Sequence, residues 1–218
     1  LEPEWEAKCE PHRYGFRPGR SGPEASEAIP ASLTQQDKYV LDADSATCCD
    51  RIDPQALLPK LNPFPALRRT LRAWLKAGGR EGAQLFPTEA GAPHGGGLSP
   101  WLANVAVHGL ETASDTAFPT YKDRHRGKPK VVRDADDCGV VQRDREVIVQ
   151  AQQIASTWLP GLGLALKPSK TRRAHTRQPI EGVAGFDVLG FHIRQYPVGQ
   201  DKTGTTGHGK PLGFKTPS

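Results

Sequence analysis

Two short β-branched runs that flank a group of acidic residues constrain the fold of this chain most strongly. Residues 131–132 (VV) and 139–141 (GVV) lie on either side of residues 134–137 (DADD). Apolar, β-branched runs around a polar tip predict a β-hairpin that carries the adjacent carboxylates of Asp136 and Asp137 at its turn.

A second acidic strand end lies far upstream of this hairpin. Residues 38–44 (KYVLDAD) predict a buried strand that ends in carboxylates. If this strand and the hairpin are neighbours in one sheet, Asp44, Asp136 and Asp137 converge and need cations to offset their repulsion, for which Mg²⁺ is suited. Two such ions would support phosphoryl transfer. The alternative is that these aspartates only cap turns or face water, as most turn aspartates do.

The other predicted elements alternate between helices and strands. Helices are expected to begin near Ser21, Asp53, Ser99 and Asp144, each followed within three residues by proline or glutamate. Further strands are expected at 84–88, 164–167 and 186–193. Residues predicted to face the core from the helices include Leu67, Leu71, Trp74, Leu75, Trp101, Val105 and Leu110. The pattern predicts an α+β or α/β fold with a sheet backed by helices.

The composition narrows the functional classes. A net charge of +5 and a pI of about 9.1 suit a polyanionic partner. No apolar run approaches the ~20 residues that cross a bilayer, and no secretory signal is present, so an intracellular location without a membrane partner is expected. The four cysteines form no CxxC pair, which argues against a structural zinc site. Because the chain begins at Leu1 and contains no methionine, we expect a fragment of a longer protein.

Six segments resemble, in the same order, motifs of reverse transcriptases encoded by group II introns. They are residues 14–21 (YGFRPGRS), 41–52 (LDADSATCCDRI), 93–104 (PHGGGLSPWLAN), 134–137 (DADD), 166–171 (LKPSKT) and 186–191 (FDVLGF). Each motif alone is weak, whereas six in order over residues 5–198 make a strong resemblance.

This resemblance implies an α+β fold, the palm of a right-hand polymerase with an antiparallel sheet backed by helices and partial fingers. The implied domains are partial fingers at 1–40, a palm at 41–199 and a flexible tail at 200–218. The implied activity is RNA-directed DNA polymerisation, in which a DNA primer 3′-hydroxyl attacks the α-phosphate of a dNTP on an RNA template. Intron RNA is a further implied partner, and a cytoplasmic, bacterial-type monomer is expected.

The resemblance also implies roles for individual residues. Asp44, Asp136 and Asp137 would be the catalytic residues and the ligands of two Mg²⁺ ions, with Mn²⁺ as an alternative. The residues implied to bind nucleotide or template are Arg17, Arg20, Ser45, Ala46, Thr47, Cys49, His94, Gly95, Gly96 and Lys170.

Three of the positions in these motifs depart from the family pattern. Cys49 replaces an aromatic residue that excludes a 2′-hydroxyl, Asp134 replaces a tyrosine, and His94 replaces a glutamine. Asp134 adds a negative charge beside the implied metal ligands, which should weaken metal or primer binding. The second hypothesis is therefore a catalytically decayed remnant that binds RNA. A carboxylate metallonuclease ranks third, because it leaves the ordered motifs unexplained.

Overall fold

The structure is a computed structural model of the 218-residue chain. It describes residues 2–21, 24–25, 33, 36–44, 52–76, 79–81, 84–86, 99–118, 128–134, 137–180, 182–188, 191–195 and 213–217. Among these residues, none of the helices combines the length and apolar character that a bilayer crossing requires.

A four-stranded antiparallel sheet forms the centre of the fold. Its strands are β1 (Tyr39–Asp44), β4 (Lys130–Asp134), β5 (Asp137–Gln142) and β6 (Arg172–His175), in the order β4-β5-β1-β6. The predicted hairpin is confirmed as β4 and β5, and the predicted strand at 38–44 is confirmed as β1. Two smaller antiparallel units consist of β2 (Gly79–Glu81) with β3 (Gln84–Phe86), and of β7 (Phe186–Val188), β8 (Phe191–Gln195) and β9 (Gly213–Pro217).

The described α-helices are α1 (Glu2–Glu6), α2 (Pro54–Leu61), α3 (Pro65–Lys76), α4 (Ser99–Val107), α5 (Leu110–Ala117) and α6 (Arg145–Trp158). Two 3₁₀ turns follow at Leu159–Leu162 and Pro168–Lys170. Helices and antiparallel strands occupy separate layers, which confirms the predicted α+β class.

The central sheet is covered on both faces. On one face Leu41, Val140, Ile148 and Ala151 form a core that joins the sheet to α6. The opposite face packs against the β7–β8 hairpin and the N-terminal segment. Its buried residues are Tyr14, Ala25, Leu33, Val40, Val132, Val141, Ala174, Phe186 and Ile193. The alternation of Val40 and Leu41 between the two cores follows from the two-residue period of a strand.

A third core lies among the helices. Helices α2, α3 and α4 pack with the Leu159–Leu162 turn, and residues such as Leu57, Leu71, Leu75 and Ala106 are buried there. Trp74 was predicted to face this core, but 49% of its surface is exposed. The reason is helical spacing. Leu71 and Leu75 lie one turn apart on the buried face of α3, and Trp74 lies at the border between that face and the solvent.

The helix starts agree with the predicted caps. Asp53 Oδ1 accepts a hydrogen bond from Gln55 N (2.8 Å), and Asp144 Oδ1 accepts one from Glu146 N (2.9 Å). The backbone N–H of Ser21 donates to Glu24 Oε2 at 3.1 Å, as a capping box requires. The helix predicted at Ser99 ends sooner than expected, since Gly109, with a φ of 98°, separates α4 from α5.

Asp144→Ala should reduce the free energy of unfolding by about 1 kcal/mol, because the first turn of α6 loses its side-chain acceptor. Asp144→Asn is the matched control, since an amide oxygen keeps the cap and should leave stability nearly unchanged. Urea denaturation of the three proteins measures both effects. Equal losses in the alanine and asparagine variants would show that the cap contributes nothing.

Three other expectations differ from the structure. Residues 164–167 were predicted to be a strand, but the chain there is a connection between two 3₁₀ turns. Residues 186–193 form the two strands β7 and β8 rather than one. Gly213–Pro217, within the predicted flexible tail, form β9 and pair with β8, which supplies the hydrogen-bond partners that the sequence did not reveal.

Candidate nucleotidyl-transfer site

Three aspartates share one register row at the end of the central sheet. Asp44, the last residue of β1, lies opposite Asp137, the first residue of β5. Asp137 also lies opposite Asp134, the last residue of β4. Directly opposed residues of an antiparallel ladder have Cα atoms about 4.5–5.5 Å apart. The backbone therefore brings the end of β1 beside the start of β5, so that the strand and the hairpin are neighbours in one sheet.

Asp136 is the residue before Asp137 and lies outside the described residues. The same holds for Ser45, Ala46, Thr47, Cys49, His94, Gly95 and Gly96. Among the side chains that the structure describes, no group of three His, Cys, Asp or Glu is placed to hold a metal ion.

An ion-pair network lies on β1, β6, β7 and β8 beside the acidic row. Asp42, two residues before Asp44, accepts a hydrogen bond from Arg172 Nε at 2.9 Å. Arg172 Nη2 donates to Asp187 Oδ2 at 2.6 Å, and Asp187 Oδ1 contacts His192 Nδ1 at 2.7 Å. The network joins the strand that ends at Asp44 to the β7–β8 hairpin.

The hydrogen bonds of this network favour the charged forms of Asp187 and Arg172. Burial acts to raise the pKa of Asp187, but hydrogen bonds with His192 and Arg172 outweigh it and leave that pKa below its usual value. Burial acts to lower the pKa of Arg172, and its hydrogen bonds with Asp42 and Asp187 raise it overall. Arg172 therefore remains a cation between two carboxylates.

This network was not predicted from the sequence. Two signals were available, the placement of Asp42 and Asp44 two residues apart on one strand and the arginine two residues after Lys170. Neither signal shows that β6 pairs with β1, which is the fact that brings Arg172 opposite Asp42.

The structure places the two predicted fingers arginines differently. The guanidinium of Arg17 binds both carboxylate oxygens of Glu6, at 2.9 and 3.1 Å from Nε, and the carbonyl oxygens of Glu10 and Arg13. Its side chain is only 9% exposed. This arrangement favours a structural role for Arg17 over the predicted contact with nucleotide phosphate. Arg20 is exposed and lies over the ring of Tyr14, at 5.6 Å from its centroid.

Asn104 connects two of the sequence motifs. Its Oδ1 accepts a hydrogen bond from Arg13 Nε (3.0 Å), and its Nδ2 donates to the carbonyl oxygens of Gly15 (2.9 Å) and Phe16 (3.2 Å). Helix α4 therefore holds the backbone of the segment 14–21 in place through hydrogen bonds to Gly15 and Phe16. Lys170 is exposed at the end of the Pro168–Lys170 turn, directly before β6.

Comparison with known families agrees with this architecture. The family described as reverse transcriptase (RNA-dependent DNA polymerase) matches residues 1–193, which is most of the chain.

Two curated proteins show similarity in sequence. The group II intron-encoded protein LtrA of Lactococcus lactis subsp. cremoris is 33% identical over 114 residues, which are 51% of this chain and 19% of that protein. Protein YkfC of Escherichia coli (strain K12) is 23% identical over 225 aligned positions, which cover 88% of this chain and 58% of that protein. The chain thus spans less than two thirds of either relative.

Solved structures with a similar fold include telomerases of Candida tropicalis. The apo enzyme truncated from its C-terminal domain has a TM-score of 0.60 at 12% identity, over 84% of this chain and 39% of that one. The telomerase in complex with the TWJ fragment of telomeric RNA has a TM-score of 0.62 at 12% identity. The match covers 84% of this chain and 32% of the telomerase chain. At this identity the likeness concerns the fold, which matches the expected palm-like α+β arrangement.

Proposed function

Because the chain belongs to the reverse transcriptase (RNA-dependent DNA polymerase) family, we propose that it extends a DNA primer on an RNA template in the manner of the group II intron enzymes. The 3′-hydroxyl of the primer attacks the α-phosphate of a dNTP, and pyrophosphate leaves. The observation that carries this proposal is the register of the central sheet, in which Asp44 lies opposite Asp137.

The chemistry of the donor set fits divalent ions. Aspartates 44, 136 and 137 would supply hard oxygen ligands, and the backbones of Asp44 and Asp137 are directly opposed. When bound, two Mg²⁺ ions, or Mn²⁺ in their place, would lower the barrier by activating the attacking oxygen and stabilising the leaving oxygen. Asp44 and Asp136 act as the principal ligands and Asp137 as the third carboxylate in this proposal.

Other residues of the chain bind and orient the substrates in this proposal. Backbone amides at 45–47 would bind the triphosphate, and Cys49 would contact its sugar. His94, Gly95 and Gly96 support the template and the incoming nucleotide. Arg20 and Lys170 are exposed cations that suit phosphate oxygens, since a guanidinium can form paired hydrogen bonds to them.

The proposed domains are fingers at 1–40, a palm at 41–199 and a tail at 200–218. The proposed partners are the RNA template, the DNA primer, dNTP and the RNA of a group II intron, in a cytoplasmic monomer. The net charge of +5 supports a nucleic-acid partner.

A second candidate function is RNA binding without catalysis. It is favoured by Asp134, which lies opposite Asp137 and adds a third negative charge to a row where the family has a tyrosine. A primer-extension assay with RNA template, DNA primer and Mg²⁺ distinguishes the two functions. Incorporation that is lost in Asp136→Asn supports the polymerase, whereas RNA binding without any incorporation supports the second candidate.

Asp134→Tyr should increase the rate of incorporation about tenfold, because removal of one charge from the acidic row relieves about 1.4 kcal/mol of repulsion. Single-nucleotide incorporation under saturating primer-template measures the effect. Asp134→Asn separates loss of charge from gain of a ring. An unchanged rate in both variants would show that Asp134 does not limit the reaction. Combination with Cys49→Phe is expected to increase the preference for dNTP over NTP.

A further inference from the structure

Two arginines from neighbouring strand segments are buried side by side. Arg13 is 2% exposed and Arg133 is 6% exposed. Their backbones form a parallel bridge, in which Arg133 N donates to the His12 carbonyl oxygen (3.0 Å) and Tyr14 N donates to the Arg133 carbonyl oxygen (2.8 Å). Both guanidiniums therefore enter the interior between the edge of the central sheet and the helices.

Few protein groups accept hydrogen bonds from these guanidiniums. Arg13 Nε donates to Asn104 Oδ1 (3.0 Å) and Arg13 Nη1 to Cys9 Sγ (3.8 Å), and Arg133 Nη1 donates to the carbonyl oxygen of Val107 (2.9 Å). The Nη2 atoms of both arginines are buried and have no hydrogen-bond partner within the part of the chain that the structure describes. A guanidinium carries five N–H donors, and a buried donor without an acceptor destabilises the folded state.

The surrounding charges do not balance the pair. Lys60 also lies near, where its Nζ donates to the carbonyl oxygens of Ala106 (2.6 Å) and His108 (2.5 Å). Burial lowers the pKa of Lys60 to about 8. Burial, together with the charge of Arg133, lowers the pKa of Arg13 to about 10.

Glu10 is the buried carboxylate that faces this cluster among the described residues, and it is 6% exposed. Its Oε1 accepts hydrogen bonds from Gly109 N (2.9 Å) and Thr112 N (3.3 Å) at the start of α5. Glu6 is bound to Arg17 instead. The cations of Arg13, Arg133 and Lys60 thus face one carboxylate, Glu10, which already accepts hydrogen bonds from the backbone of α5.

A small cavity lies beside Arg133, and Arg13 is not among the residues that line it. Arg133 lines this otherwise largely apolar cavity with Val107, Leu110 and Ser114, and the cavity has room for a water-sized particle. Buried water would accept hydrogen bonds from the guanidiniums but would leave the excess positive charge uncompensated.

We propose that the Nη2 groups of Arg13 and Arg133 bind a small monovalent anion, chloride, as a structural ion. The two unpartnered donors, the bridged backbones and the excess of cations all point to an anionic occupant. Arg133 directly precedes Asp134 of the acidic row, but its side chain is on the opposite face of the strand, and the proposal does not depend on the proposed polymerase function.

Thermal unfolding of the full chain at constant ionic strength tests this site. Replacing gluconate by 300 mM chloride should raise the midpoint by about 3–6 °C, with a saturable dependence on chloride. Arg133→Met should abolish the dependence, and the exposed Arg72→Met, which removes the same charge, should retain it. Equal midpoints in gluconate and chloride, or loss of the dependence in Arg72→Met, would overturn the proposal.

A second measurement uses the unaltered protein, so that it holds even where Arg133→Met does not fold. Crystals grown in bromide should show an anomalous peak between the Nη2 atoms of Arg13 and Arg133. An ordered water there, with no bromide signal, would overturn the anion site.

Discussion

Asp44→Asn is expected to reduce RNA-templated incorporation by about 10³-fold, which corresponds to about 4 kcal/mol of transition-state stabilisation. The physical reason is the loss of one charged oxygen ligand from the row where Asp44 lies opposite Asp137. An amide is a weaker ligand for a hard cation and does not offset the charge of the ion. Single-turnover incorporation on an RNA template at saturating dNTP measures this effect.

Asp37→Asn is the matched control for this experiment. Asp37 lies just before the other end of β1, and its side chain is 40% exposed. The same chemical change there should leave incorporation within about twofold, since the residue lies away from the acidic row and surface substitutions have small effects. Full activity in Asp44→Asn would contradict the proposed role of Asp44 as a metal ligand. An inactive parent chain that still binds RNA would support the non-catalytic function.

Phe186→Ala should reduce the free energy of unfolding by about 3–5 kcal/mol. Phe186 is 1% exposed and begins β7, where it packs with Val40 and Ala174 on the face of the central sheet opposite α6. Truncation would leave a cavity at the contact that holds the β7–β8 hairpin on the sheet. Guanidinium chloride denaturation followed by circular dichroism measures the loss.

Phe64→Ala supplies the same substitution at a position that is 64% exposed. It should cost less than about 0.5 kcal/mol, because little apolar surface is buried there. Similar losses in the two variants would show that the hairpin is not packed on the sheet as described. A loss for Phe186→Ala alone would support the contact.

The parts of the fold that were predicted correctly depend on local signals. The β4–β5 hairpin follows from two β-branched runs around a polar tip, and Asp53 and Asp144 cap helices because their short side chains reach the first free backbone N–H groups. These features involve residues close together in the chain. Such features can therefore be predicted from the sequence alone.

The parts that were missed depend on contacts distant in sequence. Residues 164–167 are apolar enough for a strand, but they form none of the named strands of the described residues, and β9 is a strand because it pairs with the edge of β8. Trp74 has the hydrophobicity of a core residue, yet Leu71 and Leu75 already fill the buried face of α3. Arg17 has the charge of a phosphate ligand, yet Glu6 lies close enough to bind it.

The candidate site shows the same division. The sequence predicted that Asp44 meets the hairpin turn, because a strand end and a turn can share one edge of a sheet. It did not predict the Asp42–Arg172 ion pair or the buried Arg13 and Arg133, since each requires the register between distant segments.

The most direct test of the acidic row is anomalous diffraction from crystals that contain Mn²⁺, a primer-template and a dNTP, with a primer that lacks its 3′-hydroxyl. We expect two manganese peaks about 3.5–4 Å apart, ligated by Asp44 and by the carboxylates at 136 and 137. Ordered substrate without manganese at these three aspartates would contradict the proposed two-ion chemistry.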